Sequence, residues 1–131
     1  MRVSYPDPVE ADSELGGILR NRPPLNLYRM LPRTRALAAQ FLQMGQTIRT
    51  GLVLNAEIRE LAIVRTGILT RADYEVHHHR AVALVQGVSA DALDRVIEGR
   101  FDALSPTSAA ALAYVDQIVT DVRAEDSVFD A

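Results

Sequence analysis

The chain has no cysteine and no tryptophan, and all 14 of its basic residues are arginine, so it has no lysine either. Without cysteine there is no disulfide, thiol nucleophile, thiol redox cycle or Cys-ligated zinc. Without lysine, Schiff-base catalysis and lysine-bound pyridoxal phosphate are excluded. Arginine stays protonated; it can clamp a carboxylate but shuttles protons poorly. Proton transfer is therefore left to His, Asp, Glu and Tyr. No apolar run reaches the length of a membrane span, and the N-terminal MRVSYPDPVE carries no apolar signal core, so no membrane partner is expected. A formal net charge of −3 and an isoelectric point near 5.5 argue against a nucleic-acid surface. What remains is a chain of 131 residues, 48% hydrophobic, long enough to bury a core in a single domain spanning 1–131. A cytoplasmic protein is the default expectation.

Strand signals are absent and helix signals recur. Residues 1–24 hold Pro6, Pro8, Pro23, Pro24 and the Gly16-Gly17 pair, and read as an irregular arm with one helical turn near Glu10 to Leu15. Leu25 to Met30 reads as a short helical turn ending before Pro32, laying Leu25, Leu27, Tyr28 and Leu31 onto the core. Arg33 to Thr50 is a predicted helix with Pro32 at its start. Its apolar positions Leu37, Phe41, Met44 and Ile48 recur at helical spacing, and Gly51 is placed for a left-handed cap. Asn55 is placed to cap the next helix, with Glu57 in its first turn. That helix is apolar on more than one side (Ile58, Leu61, Ala62, Ile68 and Leu69, with Ile63 and Val64), which marks it as central. Its charges Arg59, Glu60 and Arg65 then need an explanation. Asp73 to Gln86 is a further helix, closed by Gly87. Ser89 caps a short helix that ends at Gly99, and Ser105-Pro106 opens a long one to about Arg123, with Leu112, Val115, Ile118, Val119 and Val122 buried. The expected architecture is an all-α bundle of five to six helices.

The chemistry concentrates between Asn55 and Gly87. His77, His78 and His79 are the only histidines. Glu75 precedes His79 by one helical turn, with Cβ atoms roughly 6 Å apart on one face. A carboxylate beside an imidazole orients the ring and makes a general acid–base pair. His78 can share part of that face through Glu75 and Tyr74, while His77 is turned about 200° from His79 at roughly 100° per residue. The plainer reading is an exposed i,i+4 pair that supports the helix slightly. Glu75-x-x-His78 also has the spacing of half a carboxylate-bridged di-iron motif. The chain lacks a second such pair, so no metal or other cofactor is expected, although a site assembled across subunits stays open.

The segments RELAIVR at Arg59–Arg65, YEVHHHRAVA at Tyr74–Ala83 and GVS at Gly87–Ser89 resemble the carboxymuconolactone decarboxylase family, which includes the alkyl hydroperoxidase D-like proteins. PLNLYRML at Pro24–Leu31 is similar to the upstream segment of its Cys-free members. The resemblance covers roughly Pro24 to Asp121. It implies an all-α fold that forms homo-oligomers, as trimers, hexamers or dimers, with sites near subunit contacts. In the peroxidase branch a Cys-x-x-Cys-x-x-x-His motif follows a glutamate. Here that glutamate matches Glu60 and the histidine His79, while Ala72 and Glu75 stand at the cysteine positions, so thiol peroxidase activity is not expected. The decarboxylase-like branch is the better match and implies acid–base chemistry on a carboxylated lactone or related small organic acid. Its members commonly continue into another helix beyond the point where this chain stops, so a shortened C-terminus is expected.

The leading expectation is thus a cofactor-free lyase or isomerase. His79 transfers the proton, Glu75 orients it, Glu60 completes a relay, Arg59 or a neighbouring subunit's arginine holds the substrate carboxylate, and Tyr74 and His78 contact the substrate. The alternatives are a non-catalytic oligomeric binding or scaffold protein of the same fold, and a metal-binding protein using His78 or His79 with Glu75.

Overall fold

The computed structural model describes residues 3–6 and 13–131, except the side chain at position 35. The described residues are helical with no strand: α1 (Glu14–Leu19), α2 (Asn26–Met30), a 3₁₀ turn (Leu31–Thr34), α3 (Arg35–Thr50), α4 (Ala56–Leu69), α5 (Asp73–Val85), α6 (Ala90–Glu98), α7 (Pro106–Asp121) and α8 (Asp126–Phe129). The all-α class expected from the sequence holds. The long helices α3 to α7 are the predicted ones, and α8 is a short addition of four residues. The chain forms two compact units, Met1–Val53 and Leu54–Ala131.

In the first unit, Ser13 caps α1 by accepting from the Gly16 amide at 3.0 Å. The helical turn expected near Glu10 to Leu15 falls partly on 7–12, outside the described residues; the helix there begins at Glu14. The buried cluster is Leu15, Ala38 and Leu42, with Ile18, Leu19, Tyr28 and Leu31 packed against it. Of the four residues expected to lie on the core from the α2 region, Tyr28 and Leu31 do so, whereas Leu27 is 39% exposed. The apolar stripe read along α3 holds its helical spacing but is not the buried side. Leu37, Phe41, Met44 and Ile48 are all exposed, by 42–61%, while Ala38, Ala39 and Leu42 are buried. The small side chains of Ala38 and Ala39 face inward, and the larger apolar residues form a stripe on an adjacent face, turned by roughly 100°. Pro32 lies in the 3₁₀ turn rather than at the start of α3. Gly51 caps α3 with a φ of −108°, so it needs no left-handed geometry.

In the second unit α4 is the central helix and packs on α5, α6 and α7. Asn55 caps it, its side-chain oxygen accepting from the amides of Glu57 and Ile58. Leu61, Val64, Ala83, Val88, Leu93, Val96 and Leu112 form the core, with Phe101 and Leu104 against it. α5 returns along α4 after a tight turn, closed by the Ala72 amide donating to the Gly67 carbonyl at 2.8 Å. Gly67 permits this approach: a Cβ there would stand 2.8 Å from Val76 Cγ2. Ser89 and Ser105 cap α6 and α7 as expected, and Gly99 ends α6 with φ +75°. α7 stops at Asp121, before the expected Arg123, because Val122 turns left-handed at φ +59°. Ile118 and Val122, read as buried, are 38% and 86% exposed.

Arg65 explains itself structurally. Its Nε and Nη2 donate to Asp116 Oδ1 and Oδ2 at 2.6 and 2.8 Å, and its Nη1 donates to the Val96 carbonyl at 3.2 Å. Its guanidinium also lies over the Phe101 ring, 5.3 Å from the centroid. One side chain thus ties α4 to α7 and to the last turns of α6. The arginine side chain is 12% exposed and that of Asp116 31%, so breaking the pair removes a partly buried bidentate contact. Arg65→Met is expected to lower the unfolding free energy by about 2–4 kcal/mol, measured by urea denaturation. A loss below about 0.5 kcal/mol would show that the bidentate pair contributes no more than a surface ion pair.

Candidate active site

The turn between α4 and α5 sets two buried faces against each other. On α4 the buried row is Glu60, Leu61, Val64 and Gly67. On α5 the residues turned inward include Val76, His79 and Ala83, spaced by three and four as a helical face requires. Gly67 meets Val76 near the turn, and further along the same seam Glu60 meets His79.

Glu60 is 1% exposed and each of its oxygens has a partner. Oε1 accepts from Arg59 Nε at 3.1 Å, and Oε2 lies 2.7 Å from His79 Nδ1. The Arg59 and His79 side chains are 13% and 20% exposed, so this chain of three residues runs from the interior toward the surface. The short Glu60–His79 distance lies in the range of charge-assisted hydrogen bonds. The other ring nitrogen, Nε2, faces Glu75 Oε2 at 3.6 Å, and the Glu75 side chain is 49% exposed. That separation is an ion-pair contact but too long for a hydrogen bond. The imidazole therefore stands between two carboxylates that differ in kind: a buried one that grips it and a solvated one that only approaches it.

Arg59 has spent its Nε on Glu60. Its terminal nitrogens make no hydrogen bond among the described residues, and no buried side-chain nitrogen or oxygen among those residues is left unpaired. The outer edge of the guanidinium therefore reaches solvent.

The remaining candidates lie on α5 beside this group. The His78 ring stands edge-on to Tyr74, with centroids 4.4 Å apart, and to His77, 5.0 Å apart. Tyr74 is 38% exposed. The three rings form a ladder along α5 beside the Glu60–His79 contact. His77, His78 and His79 diverge as the helical angle predicts, and among the described residues no group of three or more His, Cys, Asp or Glu could hold a metal ion. A hollow of about 510 Å³ lies elsewhere, between the end of α7 and α8, lined by Gln117, Asp121, Arg123, Glu125 and Asp126 and by none of the candidate residues.

The structure thus brings Arg59, Glu60, Glu75 and His79 together and leaves Tyr74 and His78 alongside. The sequence pointed to Glu75 as the residue that orients the ring, because an i,i+4 pair is visible in one dimension. The tighter partner is Glu60, 19 residues away, a contact that no local spacing displays. Asp116, which occupies Arg65, carried no local signal in the sequence at all.

A model of the carboxymuconolactone decarboxylase family matches residues 35–117. The match runs from α3 into α7 and takes in every candidate residue. No curated protein and no solved structure matches the chain.

Proposed function

The chain belongs to the carboxymuconolactone decarboxylase family, and from that premise we propose that it is a cofactor-free acid–base lyase acting on a small carboxylated lactone or related organic acid. The observation that carries this reading is the 2.7 Å contact of Glu60 with His79 Nδ1, which leaves Nε2 on the side open to solvent. An imidazole anchored at one nitrogen and accessible at the other is built to move a proton at a fixed point.

In the proposed reaction, the outer edge of Arg59 holds a substrate carboxylate in the fork geometry that guanidinium provides. Loss of carbon dioxide breaks a carbon–carbon bond and leaves its electron pair on the substrate as a carbanion or enolate. The protonated ring of His79 delivers the Nε2 proton to that carbon and becomes neutral. Glu60 holds the ring in register throughout. Glu75, beside Nε2 and half in solvent, returns a proton from water. Tyr74 and His78 supply ring faces for the substrate. The cysteine positions of the peroxidase branch hold Ala72 and Glu75, so the residues offer no thiol chemistry.

A second reading has its own support. The row Leu37, Phe41, Met44 and Ile48 on α3 is an exposed apolar stripe, the kind of surface that marks an interaction site. We therefore propose that the chain self-associates, either around the lyase site or as a non-catalytic scaffold.

Turnover on a panel of carboxylated lactones and β-keto acids, followed by carbon dioxide release, tests the lyase. On a confirmed substrate, His79→Ala and Glu60→Gln are each expected to lower kcat/KM by about 10²-fold or more. Wild-type turnover by both variants would sink the acid–base reading, and a panel with no substrate would favour the scaffold. Sedimentation velocity tests self-association: the wild type is expected to run as an oligomer and Phe41→Glu/Met44→Glu to run smaller. A monomeric wild type would overturn that part.

A further inference from the structure

We infer that Arg59 is a positioning residue that acts through Glu60 to decide which nitrogen of His79 carries the proton when the ring is neutral. The inference deepens the lyase reading and rests on it only for its use in catalysis. The geometry is a single file: Arg59 Nε to Glu60 Oε1 at 3.1 Å, Glu60 Oε2 to His79 Nδ1 at 2.7 Å, and His79 Nε2 to Glu75 Oε2 at 3.6 Å.

The contact between Glu60 and a neutral His79 can be made in two ways. Either the carboxylate is ionised and accepts from Nδ1–H, leaving Nε2 bare, or the acid is protonated on Oε2 and donates to Nδ1, which places the ring proton on Nε2. The two forms hold the same number of protons and differ in where one of them sits. A guanidinium N–H can only donate, and Oε1 accepts from Arg59 in both forms, because an acid protonated on Oε2 keeps its carbonyl oxygen as an acceptor. What separates the forms is charge: the fixed positive charge of Arg59, itself largely buried, stands directly against the carboxylate. That charge favours the ionised acid and hence the Nδ1–H ring. In water the neutral side chain prefers the opposite tautomer, with the proton on Nε2. That intrinsic preference is small beside the cost of burying an unpaired carboxylate.

Arg59 and Glu60 are neighbours in sequence on one helix. Their side chains meet because Glu60 points into the core and the arginine stem bends around it, with only 13% of that side chain exposed. An arginine placed to bind substrate alone would not need its Nε turned inward. The consequence for chemistry is direct. With the proton held on Nδ1, the bare nitrogen is Nε2, the one facing Glu75 and solvent, so the ring can take up and give back a proton on the open side.

The test is nitrogen-15 NMR of the full chain labelled in histidine, recorded where the His79 ring is neutral, since the two tautomers give distinct nitrogen shifts and proton couplings. The wild type is expected to show a protonated Nδ1 and a bare Nε2. Arg59→Met is expected to invert the pattern, with the proton on Nε2 as the major form, while Arg59→Lys restores the wild-type pattern. If Arg59→Met fails to fold, Arg59→Gln keeps a donor without the charge and is expected to shift the ring the same way. A wild type already protonated at Nε2, or a folded Arg59→Gln or Arg59→Met indistinguishable from wild type, would overturn the inference. A merely structural role for Arg59 would change stability without moving the proton. The measurement needs no substrate, so its failure is distinct from failure of the lyase reading, which shows only in turnover.

Discussion

A carboxylate taken out of water must be paired, and the candidate site follows from meeting that requirement at Glu60. With 1% of its surface exposed, Glu60 is among the largest fully buried side chains of the described residues and the only acid among them. Its charge is compensated from two directions: by the adjacent arginine along α4 and by an imidazole delivered by α5. The second partner requires α5 to run close along α4. Gly67 provides that closeness where the helices first meet, since any Cβ at this position would collide with Val76. A backbone feature near the turn and a charged contact further along the seam are thus parts of one arrangement.

α4 carries four charges on a helix that is otherwise mostly apolar; Glu57 lies in its first turn, and the structure divides the other three between two purposes. Arg65 is engaged through all three of its nitrogens by Asp116 and the Val96 carbonyl, and its guanidinium lies over the face of Phe101. Arg59 and Glu60 form a pair that stops short of saturation, because the terminal nitrogens of Arg59 and the Nε2 of His79 still face outward. Arg65 ties helices together, whereas Arg59 is committed to one buried carboxylate on its own helix.

Much of the fold was legible in the sequence because its signals are local. Asn55, Ser89 and Ser105 cap the helices they were expected to cap, and Gly99 ends α6. The all-round apolar character of α4 marked it as central. On α3 periodicity identifies a stripe, but the side packed by α1 bears Ala38 and Leu42, and a stripe of large apolar residues does not show which side that is. The end of α7 was missed because valine is a poor candidate for a left-handed stop. At the site, Glu75 and His79 were visible as an i,i+4 pair, whereas the grip of Glu60 on His79 depends on the pairing of two helices, which one dimension does not display. The family resemblance placed Glu60 with His79, and the geometry shows which ring nitrogen it engages.

The central claim is that Glu60 and His79 act as one coupled unit, and a double-mutant cycle on folding stability measures this most directly. Unfolding free energies of the wild type, Glu60→Gln, His79→Phe and the double variant, determined by urea denaturation, give the coupling between the two side chains. A coupling energy of about 1–3 kcal/mol is predicted, in the range for buried, charge-assisted contacts. Losses that simply add, leaving a coupling within about 0.3 kcal/mol of zero, would contradict the account.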